Sequence, residues 1–134
     1  VKGVDGSSDG DKEAIAKQVA TSFSCIAVLT GEVDVITDGS ETYTVLNGHE
    51  WLTKVVGTGC LLGGVVAAFA ATADKSDYVK ACAQAVSYYG VAAENAYNVS
   101  QEQGYGTFGQ AFIDHLGLLS AEEALRLQRI EMKK

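Results

Sequence analysis

The stretch from Leu61 to Ala73 limits this chain more than any other. It is almost uniformly apolar and rich in alanine and leucine, which favour helix. A helix that is apolar around its whole circumference has to be covered on most faces. A chain of 134 residues makes one compact domain, with little spare surface for that task. The segment therefore predicts a helix buried against a sheet or a partner subunit. Its apolar run is far shorter than the ~20 residues a membrane span needs, so a membrane partner is not expected. Immediately before it stands Gly57-Thr-Gly-Cys60.

Charge narrows the partners further. Lysine and arginine number 10 against 17 for aspartate and glutamate, a net charge of −7. That balance repels a nucleic-acid backbone, and the one basic cluster, Lys133-Lys134, is too small to reverse it. Hydrophobic residues make up 47% of the chain, enough for a folded core. The cysteines Cys25, Cys60 and Cys82 form no CxxC pair and no ligand-like spacing with histidine. A disulfide scaffold or zinc site is not expected, and free thiols fit a reducing cytoplasm. No basic segment followed by an apolar one opens the chain, so no secretory signal is read. There are 15 glycines and no proline, so glycine alone punctuates the loops.

Residues 1–10 read as a loop. Asp11 is a suitable N-cap for a helix to about Phe23, with Ile15, Val19 and Phe23 as its apolar stripe. Ser24 to Leu29 reads as a buried strand ending at Thr30-Gly31, followed by a strand at Val33 to Ile36. Asp38-Gly39 signals a hairpin, with a return strand from Glu41 to Leu46 and a further turn at Asn47-Gly48. Trp51 to Val56 reads as extended. Ser76 caps a long helix to about Asn98, its apolar side formed by Tyr78, Cys82, Ala85, Val86, Tyr89, Ala93 and Ala96. Capping boxes at Thr107/Gln110 and Ser120/Glu123 predict helices from Thr107 to Leu116, with Gly117 as C-cap, and from Ala121 towards Met132. The order of elements implies α/β layering, or a sheet that needs more strands.

Two places carry candidate chemistry. Gly57-Thr58-Gly59-Cys60 lets the backbone turn with no Cβ in the way, and the first turn of the next helix leaves amides unpaired. Those donors and the positive helix end suit a phosphoryl group. Cys60 at that start would have its thiolate favoured by the dipole. A purely structural glycine turn accounts for the same residues. The spacing is neither that of a Walker A loop nor of a dinucleotide fingerprint, and Gly63-Gly64 read as allowing close packing of a neighbour. Thr30-Gly31, at the carboxyl end of a strand, is the second place: Thr30 can offer a hydroxyl to a phosphate or simply form a turn. Glu32 and Asp34 follow at period two as candidates for Mg²⁺, or as a solvated acidic pair. His49 reads as an exposed loop residue, and His115 as a helix-end contact. Cys25 and Cys82 read as core thiols, and Tyr88, Tyr89, Tyr97 and Tyr105 as core or interface packing.

Thr30-Gly-Glu-Val-Asp34, Asn47-Gly48, Leu52-Thr-Lys-Val55 running into Gly57-Thr-Gly-Cys60-Leu-Leu, and Ser87-Tyr-Tyr-Gly-Val-Ala-Ala93, in that order, closely resemble the hydroxyethylthiazole kinase family of thiamin salvage. Val1-Lys-Gly-Val-Asp5 resembles it as well. The resemblance implies a ribokinase-like α/β layered sheet flanked by helices, represented here by its carboxyl-terminal half, with residues 1–134 forming part of a single kinase domain. It also implies ATP as co-substrate, Mg²⁺, a thiazole alcohol as acceptor, and a cytoplasmic homotrimer with active sites between subunits. By position, Thr30 resembles the threonine at the ATP phosphates, Gly57 the glycine at the thiazole, and Gly57, Thr58 and Gly59 the anion hole. Cys60 stands where most ribokinase-like enzymes carry an aspartate base. The family's upstream methionine, arginine and Asn-x-Ser-Glu segment have no counterpart in this sequence, so an isolated half is expected to be inactive. Another ribokinase-like small-alcohol kinase, a non-catalytic nucleotide-binding or assembly domain, and a Cys60 hydrolase are the competing readings.

Overall fold

A computed structural model describes residues 11–134. The loop reading of residues 1–10, and the family-like segment Val1 to Asp5 within it, lie outside the described residues. Helix α1 (Lys12–Phe23) is followed by β1 (Ala27–Leu29), β2 (Asp34–Thr37) and β3 (Thr42–Val45). Then come α2 (Thr58–Ala71), α3 (Tyr78–Ser100), α4 (Tyr105–Leu118), α5 (Ala121–Leu127) and β4 (Ile130–Lys133). Short 3₁₀ turns occupy Glu50–Lys54 and Lys75–Asp77.

The strands form one antiparallel sheet in the order β1-β2-β3-β4. Asp38 builds the β2–β3 hairpin: its Oδ1 accepts from the amides of Ser40 and Glu41, each at 2.8 Å. Across that hairpin the Thr37 and Thr42 hydroxyls bond at 2.8 Å. α1 packs on β1 and β2, while α3 packs on β2 and β3, so both faces of the central strands are covered. That is why every residue of β2 and β3 is buried despite their polar threonines. The arrangement is the expected α/β layering of helices around a sheet.

α3 is the spine. It is buried along most of its length, and its alanines Ala83, Ala92, Ala93 and Ala96 admit α2, α4 and the sheet at close range. Phe108 and Phe112 of α4 are fully buried against it, each stabilising by about 2–3 kcal/mol.

Several local expectations are corrected. On α1 the buried side is Ala16 and Ala20, whereas Val19 and Phe23 are exposed, because only small residues fit where the helix lies on the sheet. β1 is shorter than expected and only partly buried, since it is an edge strand. Trp51 to Val56 is not extended: Glu50–Lys54 winds into a 3₁₀ turn whose first amide is capped by His49 Nδ1, at 3.1 Å from the Trp51 nitrogen. The α3 helix starts at Tyr78 after a 3₁₀ turn rather than at a Ser76 cap. α4 starts two residues before Thr107, at the Gly104-Tyr105 step, and runs through Gly117 to Leu118. The last helix ends at Leu127, and Ile130–Lys133 pairs with β3 instead.

Candidate functional site

α2 begins where Gly57 adopts φ +94°, a left-handed conformation that favours glycine, and no neighbouring atom comes within 4 Å of the place a Cβ would occupy. No side chain caps the helix start. Thr58 does not turn its hydroxyl outward. Its Oγ1 donates to the carbonyls of Leu52 at 2.8 Å and Val55 at 3.1 Å, which folds the preceding turn against the helix. From the other side, the Tyr89 hydroxyl of α3 donates to the Thr58 carbonyl. Tyr89 is itself held edge-on to Phe112 at 4.8 Å, and burial pushes its phenol up to about 12. The first turn of α2 is therefore fixed from both sides while Gly59 and Cys60 stay exposed.

The rest of α2 differs from expectation. Leu62 is its one buried residue; Val65, Val66, Phe69 and Ala70 are half-buried on the same face towards α3. Leu61, Gly63, Gly64, Ala67, Ala68 and Ala71 face solvent, and nothing lies within 4 Å of the Cβ positions of Gly63 and Gly64. Within the described residues the helix expected to be covered has one covered side.

At the other candidate, Thr30 is exposed in the β1–β2 loop. Asp34 is buried, and its Oδ1 accepts from the Gly31 amide at 2.9 Å. Burial raises the Asp34 carboxyl from 3.8 to about 6, with the Gly31 bond and the Lys12 charge pulling the other way. Lys12 Nζ donates to the Val33 carbonyl at 2.6 Å. Glu32 is exposed. Among the described residues no three His, Cys, Asp or Glu side chains converge as a metal site. Asp34 Oδ1 is committed to a backbone amide near an ammonium group, while Glu32 is exposed, so the structure does not bring the two carboxylates together as one site.

Cys25 is exposed rather than a core thiol, because it follows the αL turn at Ser24 that ends α1. Cys82 is buried as expected, and burial raises its thiol. His49 is half-buried and stacks on Tyr97 at 3.8 Å, where a solvent-exposed loop residue was expected.

The largest omission of the sequence reading is a polar hub. Asn47 Oδ1 accepts from Ser87 Oγ and from the Arg129 amide, both at 2.7 Å. Its Nδ2 donates to the Leu127 carbonyl at 3.1 Å and to Glu94 Oε2 at 3.3 Å. Glu94 Oε1 also takes the Gly48 amide at 3.2 Å and Arg129 Nη2 at 2.6 Å. Asn47 thus ties the end of β3 to α3 and to the α5–β4 connection, and sets where the chain departs towards Gly57. A methyl group at Gly90 would lie 2.5 Å from the Asn47 carbonyl carbon, so only glycine fits there. The sequence signal was Glu94, a lone carboxylate within an apolar helix face, but its partners are remote in sequence.

The layered helices and sheet define an α/β protein, and the uncapped start of α2 leaves first-turn amides of the kind that suit an anion. Comparison with known proteins narrows this class. The pattern of the Hydroxyethylthiazole kinase family matches residues 1–122. The hydroxyethylthiazole kinase of Shouchella clausii is 48% identical over 131 residues, covering 98% of this chain and 50% of that protein. The one from Halalkalibacterium halodurans is 49% identical with the same coverage. The solved hydroxyethylthiazole kinase of Pyrococcus horikoshii superposes with a TM-score of 0.83 at 30% identity, over 91% of this chain and 46% of that one. The chain belongs to the hydroxyethylthiazole kinase family, and it spans about half the length of these relatives.

Proposed function

We propose that residues 1–134 are the carboxyl-terminal part of a single ribokinase-like kinase domain. The complete protein transfers the γ-phosphoryl group of ATP to the hydroxyl of 4-methyl-5-(2-hydroxyethyl)thiazole in thiamin salvage. The observation that carries this reading is the start of α2: Gly57 in the left-handed region, bare of neighbours, on a helix that no side chain caps. In a family of kinases, such a start suits the equatorial oxygens of a phosphoryl group in flight, where catalysis is positioning and electrostatics.

The roles we assign are those the family resemblance implies, and that geometry supports them. The amides after Gly57, through Thr58 and Gly59, receive the transferring phosphoryl. Gly57 lies against the thiazole, where a side chain would intrude. Cys60, exposed on the first turn, accepts or orients the acceptor hydroxyl. Thr30 contacts the ATP phosphates from the β1–β2 loop. Mg²⁺ would neutralise nucleotide charge when bound, with exposed Glu32 as a candidate ligand on this chain. The exposed thiols Cys25 and Cys60 support a reducing, cytoplasmic setting. Exposed Val56, Ile113 and Leu118 support a homotrimer in which apolar faces meet.

In the complete kinase, Cys60→Ala lowers kcat by about 10²-fold, the lower end of what a positioned acid–base group supplies. Cys60→Asp retains or raises the rate. An unchanged kcat in Cys60→Ala would remove the base role.

A further inference from the structure

The β1–β2 loop is held at two points that neither the family match nor the proposed chemistry accounts for. The Asp34 carboxylate takes the Gly31 amide at 2.9 Å, and Lys12, reaching over from α1, donates to the Val33 carbonyl at 2.6 Å. The two anchors straddle Glu32 and sit directly after Thr30. Lys12 Nζ also fills the space beside Gly31: a methyl group there would come within 2.3 Å of it. Thr30 itself is exposed, and its hydroxyl makes no hydrogen bond among the described residues. The loop is thus pinned at two points just after Thr30, whose hydroxyl points to no partner among the described residues. A buried carboxylate is costly to retain unless its hydrogen bonds fix something.

We propose that Asp34 and Lys12 are positioning residues that clamp the β1–β2 loop so that the Thr30 hydroxyl is presented to a nucleotide phosphate. This rests on the reading of Thr30 as a phosphate contact. A bound phosphate then finds the donor already ordered, and the ordering cost is met during folding rather than during binding. Asp34 acts through Gly31, and Lys12 acts through Val33 and through its charge beside Asp34.

The test is a double-mutant cycle in the complete kinase, read as the Kd for a non-hydrolysable ATP analogue, together with hydrogen exchange at the Gly31 amide. Asp34→Ala weakens the analogue about tenfold, the loss of one charge-assisted hydrogen bond's worth of order. Asp34→Asn, which keeps an acceptor oxygen, stays within about threefold, and Lys12→Met falls between the two. In a Thr30→Val background Asp34→Ala has no further effect, because its consequence runs through Thr30. Gly31 exchange speeds up in Asp34→Ala and not in Asp34→Asn. An undiminished effect of Asp34→Ala in the Thr30→Val background, or no change in Gly31 exchange, overturns the proposal. Turnover of the thiazole alcohol by the wild-type kinase is measured separately. Its absence would sink the substrate assignment, while the analogue Kd and Gly31 exchange still judge the clamp.

Discussion

At the scale of single residues, the polar side chains that matter most are those bonded to backbone. Asp34 makes a prediction with a definite sign. Its folded carboxyl titrates near 6, against 3.8 for an ordinary one. The unfolded chain gives up that proton first, so the native state loses stability as pH rises from 3.8 to 6, and the full penalty stands above 6. The span corresponds to about 3 kcal/mol. Thermal unfolding of Asp34→Asn should show a gain in Tm over wild type at pH above 6 that disappears towards pH 4; a gain independent of pH would contradict the assignment. Asn47 makes the second prediction. Asn47→Ala strands the Arg129 amide and the Ser87 hydroxyl, and should cost about 3 kcal/mol in denaturant unfolding. Gly90→Ala should be comparably damaging, because the atom it meets is backbone and cannot swing aside. Neither effect was legible in the sequence. Asn47-Gly48 carries a turn signal, and its real partners lie some 40 and 82 residues further along the chain.

At the scale of elements, legibility follows how local the determinant is. Asp11 was read correctly as the α1 cap, and its side chain accepts from the Ala14 amide at 3.2 Å. The Asp38-Gly39 hairpin was also read correctly, because its hydrogen bonds close within three residues. β4 was missed because Ile130 and Met132 have helix-compatible neighbours, and only the open edge of β3 draws them into a strand. α2 was read correctly as a helix: its composition has no polar side, and among the described residues only the side towards α3 is covered. Its exposure can be checked with a thiol-reactive probe and peptide mass measurement. Cys25 and Cys60 should label quickly in the folded chain, and Cys82 only on unfolding. In the complete kinase an ATP analogue should slow labelling of Cys60 and leave Cys25 unaffected. Equal protection of both would place the nucleotide away from α2.

At the scale of the whole molecule, the layered α/β architecture was legible in the order of elements and in the family-like segments. Beyond the β2–β3 hairpin, the antiparallel pairing of β1 and β4 was not, because it is set by tertiary contacts. The bare side of α2 and the open edge of β1 fit a chain that spans about half of its relatives. Together with the candidate sites at Thr30 and Gly57 to Cys60, they support the proposal that residues 1–134 are one half of a kinase domain. The most direct measurement of that account is product formation by the complete protein with ATP and a panel of small alcohols. The account predicts ADP and a phosphorylated thiazole, with the thiazole ethanol preferred over hydroxymethylpyrimidine and over sugars. A preference for hydroxymethylpyrimidine, or ATP binding with no ADP formed, would contradict it.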